Sequence, residues 1–331
     1  MPEVSVILPA YNASESIGRA VHSLLDQTFR AIEVIVVDDG STDDTGLIVQ
    51  RIRDPRIRLV QCPHRHVVAA ANTAIEFARG PLIARMDADD FSHPRRLEKQ
   101  VDLLYRRDLD VVGCQVHIIN RVGQVASTMQ RYERWINEET IAVEQILALR
   151  FVEFPLVNPT IMARRSYFEM GFRYGEFPED YELMLRAAAQ GMRFGKVEEV
   201  LFDWTDSPSR LTRSDSRYDP AAFDRCRQMY LFSGPLKDID QIDLWGVGRT
   251  GKSWLHRIQA HGISVRRGYD ISQRKIGKTM HGVSIVHPNA MPVADGTPLV
   301  VAVGADGARD LIRDHIRSRR YVVGQDVWFV A

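Results

Sequence analysis

The sequence contains little cysteine, no excess charge of either sign and no long apolar run. Its 331 residues include 3 cysteines, Cys62, Cys114 and Cys226, which lie far apart along the chain. An odd and scattered set of this kind indicates neither a disulfide framework nor a zinc site. Lys and Arg together number 43, as do Asp and Glu, so the formal net charge is zero. We therefore expect no nucleic-acid partner, because nucleic-acid binding favours a basic chain.

The apolar runs are also too short for a membrane span. Runs such as "IEVIVV" and "PLVVAV" have the length of strands, whereas about 20 apolar residues are needed to cross a bilayer. The N-terminus, "MPEVSVILPAYN", enters a strand pattern at once and lacks the charged start and cleavage site of a signal peptide. We expect a cytoplasmic protein without a transmembrane segment. Docking at a membrane surface stays open, and the sequence does not indicate the oligomeric state.

The first half of the sequence alternates short β-branched runs with segments of helical length. The strand-like runs are "VSVILPA", "IEVIVVDDG", "IRLVQC" and "PLIARMD". This alternation is typical of the α/β class, with a mostly parallel sheet and flanking helices. Polar clusters follow three of these runs, namely "PAYN", "DDGSTDD" and "DADD". Because ligands bind beyond the carboxyl ends of strands in open α/β sheets, we expect these clusters to converge on one site.

The length of the chain favours two domains, since single cores stop growing at about 250 to 300 residues. A second βαβ pattern starts at "IDLWGVGRTGKSWLHRIQAHGISVRRGYD", after the linker-like stretch "SGPLKD". We therefore predict a first α/β domain over residues 1–220, a helix and linker over 221–235, and a small Rossmann-like α/β domain over 236–331.

The stretch "ARMDADDFSHP", residues 84–94, carries three acids in four positions. Asp87 and Asp89 are two residues apart, so they point to the same side of an extended backbone. Two carboxylates on one side favour a hard divalent cation, Mn²⁺ or Mg²⁺, which often binds a substrate's phosphates as well. No neighbouring residue obviously neutralises the cluster. The alternative is that Asp89 or Asp90 caps a helix that begins near Pro94, while the other acids are solvated.

Three longer stretches resemble the family 2 glycosyltransferases, which have the GT-A nucleotide-sugar-binding fold. They are "VSVILPAYNASESIGRAVHSLLDQTFRAIEVIVVDDGSTDDT", "ANTAIEFARGPLIARMDADDFSHPRRLEKQ" and "FPEDYELMLRAAAQGMRFGKVEEVLF". They follow the order of the family and together cover roughly residues 3–215, which is more specific than any single motif. The resemblance implies the GT-A fold and a nucleoside diphosphate sugar as donor.

The resemblance implies a nucleotide-binding role for residues at the first two strand ends. The positions that match the segment around the base and ribose are Pro9, Ala10, Tyr11 and Asn12. Asp39 matches the acid that contacts the base, and Asp38 is its neighbour. A structural alternative stays open, because Tyr11 and Asn12 are also typical turn and cap residues and the two acids are typical of turns.

The resemblance also implies which residues perform the chemistry. Asp89 matches the metal ligand of the DxD pair of the family, and Asp87 matches the acid that lies toward the ribose and helps to hold the metal. Asp180 matches the general base, with Glu179 beside it, and a basic loop that closes over the diphosphate would contain Arg210 and Arg213. Two alternatives stay open: the helix macrodipole also favours acids in a first turn, and the arginines could form a solvated basic face.

The sequence departs from the family pattern at three points. It reads His66, Val67 and Val68 where many members have a glycine near the nucleotide. Asn158 stands where close relatives tend to have histidine. No QxxRW element follows Asp180, which argues against a processive polysaccharide synthase.

The second domain contains "GVGRTGKS", residues 246–253, which fits both a dinucleotide motif and a P-loop. Its glycines are Gly246, Gly248 and Gly251. Asp270 follows them by about 20 residues, where a Rossmann unit has its ribose-binding acid. We therefore predict a Rossmann-like domain with a candidate nucleotide loop. A structural or partner-docking role stays open, because a fold alone does not determine a function.

These features predict an inverting, metal-dependent glycosyltransferase of glycan or polysaccharide biosynthesis. Its donor would be a nucleoside diphosphate sugar, UDP-linked as the first expectation, and its acceptor a hydroxyl on a glycan or on a lipid-linked molecule. One alternative is a noncatalytic nucleotide-sugar-binding or docking protein, against which Asp87, Asp89 and Asp180 argue. The other is a dehydrogenase or epimerase that uses the C-terminal loop, but the sequence shows no catalytic Tyr-Lys or Cys arrangement near it.

Overall fold

The computed structural model describes residues 1–120, 123–138, 143–153, 155–207, 210–305 and 307–331, with only the backbone of residues 143–144. Contacts divide the chain into two compact units. The first is Met1–Ile146 with Pro155–Cys226, and the second is Leu147–Phe154 with Arg227–Ala331. The segment Leu147–Phe154 thus belongs to the second unit, which no sequence pattern indicated. The linker at residues 221–235 stays a prediction.

The first unit is built on a mixed sheet. Its strands are β1 (Val4–Ala10), β2 (Ile32–Asp38), β3 (Ile57–Gln61), β4 (Leu82–Arg85), β5 (Phe91–Ser92), β6 (Val111–Ile119), β7 (Met162–Arg164) and β8 (Phe194–Thr205). The order across the sheet is β3-β2-β1-β4-β7-β6-β8-β5. The first four strands of this order are parallel, whereas β7 runs antiparallel to β4 and β6. The predicted α/β class with a mostly parallel sheet is confirmed.

Helices cover the sheet and connect its strands. They are α1 (Ile17–Leu25), α2 (Thr45–Arg51), α3 (His66–Phe77), α4 (Arg96–Arg106), α5 (Ser127–Glu138), α6 (Val143–Ala148), α7 (Arg165–Glu169), α8 (Glu179–Ala189), α9 (Leu211–Ser214) and α10 (Pro220–Ser233). Every residue of β2 is buried, as expected for a parallel strand covered on both faces. Short 3-10 helices occur at Asn158–Thr160 and Ser216–Tyr218.

Strand register brings the ends of β1, β2 and β4 to one edge of the sheet. Ala10 at the end of β1 lies opposite Asp38 at the end of β2. Arg85 at the end of β4 lies opposite Ile7, and the Met86 amide donates to the Ile7 carbonyl oxygen at 3.0 Å. The three polar clusters of the sequence therefore leave the sheet at the same edge, as the strand pattern predicts.

The second unit contains a smaller sheet. Its strands are β9 (Gln241–Trp245), β10 (Ser264–Tyr269), β11 (Thr279–Met280), β12 (Val283–Val286), β13 (Leu299–Val301) and β14 (Val327–Phe329), and its helices include α11 (Arg249–Ala260) and α12 (Ala308–Ser318). The order is β11-β12-β10-β9-β13-β14. Without the antiparallel edge strand β11, this is the 3-2-1-4-5 order of a doubly wound, Rossmann-like sheet.

The glycine-rich loop connects β9 to α11 and is packed tightly. Gly246 has a φ of 94°, and Gly248 is the N-cap of α11. A Cβ added at Gly251 would lie 1.8 Å from the carbonyl oxygen of Gly246. Asp270 accepts hydrogen bonds from the Val247 amide at 3.2 Å and from Lys275 Nζ at 2.7 Å. These bonds give Asp270 a structural role in the loop, and nucleotide binding there stays a prediction.

No helix in the described ranges is both long and apolar enough to cross a membrane. The three cysteines are free thiols, and Cys114 and Cys226 are buried.

Replacing Gly251 with alanine is expected to lower the free energy of unfolding of the second unit by about 1 to 3 kcal/mol, because the new methyl group overlaps a backbone oxygen. Gly248→Ala is the matched control, since its Cβ would meet open space at a φ of −76°. Its expected cost is below about 1 kcal/mol. Urea unfolding followed by tryptophan fluorescence measures both changes. Equal stability of the two variants would contradict the tight packing at Gly251.

Candidate active site

The loop after β1 is tied to the loop after β2. Asn12 has a φ of 47°, and its Oδ1 accepts a hydrogen bond from the Thr42 amide at 2.8 Å. The Asn12 amide donates to Ser41 Oγ at 2.9 Å. Tyr11 is 46% exposed and stacks on His64, with 4.1 Å between ring centroids. Asn12 thus has the turn role that the sequence left open, while the Tyr11 ring is accessible to a ligand.

The two acids at the end of β2 are buried and hydrogen-bonded within the protein. Asp38 accepts from the Ser41 amide at 3.0 Å and from Gln61 Nε2 at 3.2 Å. Asp39 accepts from the Arg65 amide at 2.9 Å, and its other oxygen lies 2.9 Å from His64 Nδ1. Both acids therefore shape the strand end. Sequence reasoning missed His64, which supports Asp39 and stacks on Tyr11.

The backbone conformation of His66 explains the departure from the family pattern at residues 66–68. His66 lies at a φ of 67°, in the left-handed region that favours glycine. Its ring contacts His64 edge-on, with 4.5 Å between centroids. The chain therefore keeps the backbone conformation of a glycine here and adds an imidazole to the edge of the site.

The acidic cluster after β4 is held by two residues, Arg85 and Thr205. Asp87 Oδ1 lies 3.2 Å from both Nε and Nη2 of Arg85. The Asp89 carbonyl oxygen accepts from Thr205 Oγ1 at 2.6 Å, and Asp90 Oδ1 accepts from the Thr205 amide at 2.7 Å. The expectation that no neighbour neutralises the cluster is wrong, because Arg85 stands two residues before Asp87 and reaches it directly.

The capping alternative for the acidic cluster is also wrong. Helix α4 begins at Arg96 with Arg95 at its N-cap, and no side chain caps it. Asp90 is instead buried against the end of β8. Burial first, and the charges of Asp89 and Asp87 next, raise the pKa of Asp90 well above its ordinary value.

The donor atoms of the cluster fit a hard divalent cation. Asp87 and Asp89 would supply only carboxylate oxygens, which suit Mn²⁺ or Mg²⁺. In the part of the chain that the structure describes, no group of three or more His, Cys, Asp or Glu residues could hold a metal. A cation bound here would therefore need oxygens from water or from a substrate to complete its ligand shell.

The predicted base lies in the first turn of α8. Glu179 is buried, and both of its carboxylate oxygens accept from the Tyr218 hydroxyl at 2.8 Å. Arg217 Nη1 lies 3.8 Å from the same carboxylate. Asp180 stays partly exposed and accepts from the Tyr181 amide at 2.7 Å. Burial first, and the Glu179 carboxylate next, raise the pKa of Asp180 to about 7.

The arginine-rich loop, which contains Arg210 and Arg213, follows β8. The last residue of β8, Thr205, is the one that bonds Asp89 and Asp90. Asp206 follows β8 and is buried, with its Oδ1 at 2.6 Å from Arg213 Nη2 and 3.7 Å from Arg210 Nη1. The Arg210 guanidinium also lies over the Trp204 ring, 4.1 Å from its centroid. The solvated-face alternative is therefore wrong for Arg210, which is packed beside the acidic cluster.

Comparison with known proteins decides the family. The family model described as glycosyl transferase family 2 matches residues 5–172. The chain belongs to this family. EpsE of Bacillus subtilis (strain 168), described as a glycosyltransferase, is 31% identical over 255 residues, which cover 73% of this chain and 87% of EpsE. The succinoglycan biosynthesis protein ExoU of Rhizobium meliloti (strain 1021) is 28% identical over 341 residues, 92% of this chain and 93% of ExoU.

Solved structures agree on the fold. Residues 1–349 of S. aureus TarS in complex with UDP-GlcNAc superpose with a TM-score of 0.56 at 21% identity, over 72% of this chain and 68% of that TarS fragment. The mannosyltransferase PcManGT from Pyrobaculum calidifontis, in complex with GDP-Man and Mn²⁺, gives a TM-score of 0.51 at 22% identity, over 70% of this chain and 62% of PcManGT. The chain is thus a glycosyltransferase with the GT-A fold, and the roles of its individual residues stay predictions.

Removing the Tyr218 hydroxyl is expected to loosen the segment 210–218. Tyr218→Phe leaves the buried Glu179 carboxylate without this donor, which costs about 1 to 3 kcal/mol. Amide hydrogen exchange of residues 210–218 should become faster, and the melting temperature should fall. Tyr174→Phe is the control, since Tyr174 is 65% exposed. Unchanged exchange in the Tyr218 variant would show that this hydrogen bond does not hold the segment.

Proposed function

We propose that this glycosyltransferase is an inverting, metal-dependent enzyme of polysaccharide biosynthesis that takes its sugar from a nucleoside diphosphate sugar. The observation that carries the proposal is the arrangement around Arg85. This buried arginine binds Asp87 at 3.2 Å and interacts electrostatically with Glu179 and Asp180. One acid assigned to the donor, Asp87, and the acid assigned to the acceptor, Asp180, therefore both interact with one buried cation.

Asp180 is the proposed general base. An acceptor hydroxyl has a high pKa and must lose its proton as it attacks, so a carboxylate within hydrogen-bond reach is required. A pKa of about 7 makes Asp180 a stronger proton acceptor than an ordinary aspartate while leaving much of it ionised near neutral pH. In the proposed reaction Asp180 takes the hydroxyl proton, and the acceptor oxygen forms a bond to the anomeric carbon.

The bond from the anomeric carbon to the diphosphate oxygen breaks as the new bond forms on the opposite face. The configuration inverts in one displacement with an oxocarbenium-like transition state, and no covalent intermediate is proposed. Arg210 and Arg213 are the proposed contacts of the departing diphosphate, because bidentate arginine suits phosphate geometry. Mn²⁺ or Mg²⁺ bound by Asp87 and Asp89 would supply further positive charge to that diphosphate.

The relatives support the proposed substrate classes. ExoU, which matches almost the whole chain, is named for succinoglycan biosynthesis, and this supports a role in building a polysaccharide. TarS was crystallised with UDP and with UDP-GlcNAc, so UDP is the first nucleotide to test. PcManGT was crystallised with GDP-Man and Mn²⁺, which supports a divalent cation at the donor site. The acceptor is proposed only as a hydroxyl on a glycan or lipid-linked molecule.

Calorimetric titration with UDP, GDP, CDP, dTDP and NAD, each with Mn²⁺ and with EDTA, tests the donor site. One nucleoside diphosphate is expected to bind only with the metal. Asp89→Ala should abolish that metal-dependent binding, because it removes a ligand. Asp180→Ala should keep it and stop sugar transfer. The surface variant Asp102→Ala is the control, since Asp102 is 58% exposed. Binding of NAD alone would contradict the proposed donor site.

The activity is expected to rise with pH through about 7. Asp180 has to be ionised to accept a proton, and its raised pKa places the loss of activity below about pH 7. The steady-state rate measured from pH 5 to 9 reports this loss of activity at low pH. Asp180→Asn should abolish turnover and with it this pH dependence. Asp203→Asn is the control, since Asp203 pairs with His93 at 2.9 Å, and it should keep the pH dependence. A wild-type rate that stays flat between pH 5 and 8 would rule out Asp180 as the titrating base.

A further inference from the structure

Arg85 is a buried cation with one unused donor group. Arg85 is the last residue of β4, and it is as buried as the residues of the core, with 2% of its surface exposed. Nε and Nη2 both point to Asp87 Oδ1 at 3.2 Å. Nη1 is buried and has no hydrogen-bond partner among the residues that the structure describes. A buried donor without a partner is costly, so its retention in the site calls for a physical reason.

The surroundings of Arg85 give that reason. Besides Asp87, the groups that interact electrostatically with its guanidinium include Glu179, Asp180 and Tyr218. The guanidinium also lies over the Phe172 ring, 5.3 Å from the centroid. Asp87 belongs to the loop after β4, while the two other acids begin α8. One buried cation therefore stands between acids from two separate elements, which would otherwise repel each other.

We propose that Arg85 is a positioning residue that holds the donor-side acid Asp87 in place and brings a buried positive charge to the acids at the start of α8, among them the acceptor-side base Asp180. The proposal rests on the proposed function for the role of Asp180. It adds a residue to the site that neither the sequence pattern nor the family match assigns. The guanidinium orients Asp87 through two nitrogens that converge on one carboxylate oxygen, and its charge also acts on the acids of α8.

Five groups in the part of the chain that the structure describes interact electrostatically with the Asp180 carboxyl. They are Glu179 on α8, Arg85 on β4, Asp87 after β4, Tyr167 on α7 and Tyr218 in the 3-10 helix. Glu179 and Asp87 are acids and favour a protonated Asp180. Arg85 is the cation of this set and acts in the opposite direction. Removing its charge should therefore make Asp180 harder to ionise.

Variants of Arg85 separate its charge from its shape. Arg85→Met removes the charge, and Arg85→Lys keeps the charge but loses the planar fork that binds Asp87. Arg96→Met is the matched control. Arg96 is another buried arginine, and it donates to the carbonyl oxygens of Arg85 and Pro159. Loss of Arg96 should lower the melting temperature without removing the charge beside Asp180.

The first readout requires no substrate. The full-length protein is labelled with ¹³C at the aspartate carboxyl carbons, and the Asp180 signal is identified by its absence in Asp180→Asn. In EDTA the titration midpoint of Asp180 is expected to rise by about 1 pH unit in Arg85→Met, the usual size of a charge effect at a few ångströms. It should stay within about 0.3 pH unit of wild type in Arg85→Lys and Arg96→Met.

The second readout is release of nucleoside diphosphate from UDP-glucose, UDP-N-acetylglucosamine, UDP-galactose and GDP-mannose. With the donor that turns over, kcat of Arg85→Met at pH 7 is expected to fall about 10-fold or more, with partial recovery at pH 9, while KM changes less. Arg85→Lys should lower kcat at every pH, because Asp87 loses its contacts with the planar guanidinium. The fall of kcat at low pH should stay as in wild type, because the positive charge is kept.

A folded Arg85→Met with wild-type kcat and an unmoved Asp180 midpoint would overturn the proposal. If Arg85→Met does not fold, Arg85→Lys decides: wild-type kcat in that variant would overturn the positioning role, and a lower kcat with an unmoved midpoint supports it. Turnover by Asp180→Asn would instead refute the proposed base. The ¹³C midpoint would still report the charge effect of Arg85, so the two failures are distinguishable.

Discussion

Parallel pairing of β1 with β2 and β4 is the constraint on which the rest of the site depends. Parallel strands must be joined by crossovers, so their carboxyl ends fall on the same edge and their connecting loops face one another. The register that sets Ala10 opposite Asp38 and Arg85 opposite Ile7 brings three polar loops together. This convergence concentrates negative charge at one edge of the sheet, and the remaining structure provides hydrogen-bond donors to those acids.

The hydrogen-bond donors to the acids at this edge come from several parts of the chain. Arg85 binds Asp87, the end of β8 binds Asp90, and Tyr218 binds Glu179. The segment that carries Tyr218 also carries the two arginines proposed for the diphosphate. The positions of the acids and of the arginine-rich loop are thus coupled through shared hydrogen bonds.

In both units an acid follows the end of a parallel strand, and the hydrogen bonds of that acid differ between the units. In the second unit Asp270 also follows a parallel strand, yet its carboxylate is taken up by Lys275 and the Val247 amide. Gly251 packs so closely against Gly246 that a Cβ at Gly251 would overlap the Gly246 carbonyl oxygen. A motif that fits a phosphate loop in sequence therefore also fits a tightly packed turn. The ExoU relative spans this unit as well, so the two units occur together in more than one protein.

The sequence by itself determined the α/β class, the edge of the sheet that carries the site and the family, because periodicity and motif order are local properties. It also indicated Asp87, Asp89, Glu179 and Asp180, which stand in recognisable motifs. Tertiary structure alone decided which acid pairs with which donor. Tyr218 follows Glu179 by 39 residues and Thr205 follows Asp90 by 115, and no local pattern reports contacts over such separations. Arg85 stands beside the motif in the sequence. Its charge can act on Asp87 and on the acids of α8 because Arg85 is buried, whereas the charge of a solvated arginine would be screened.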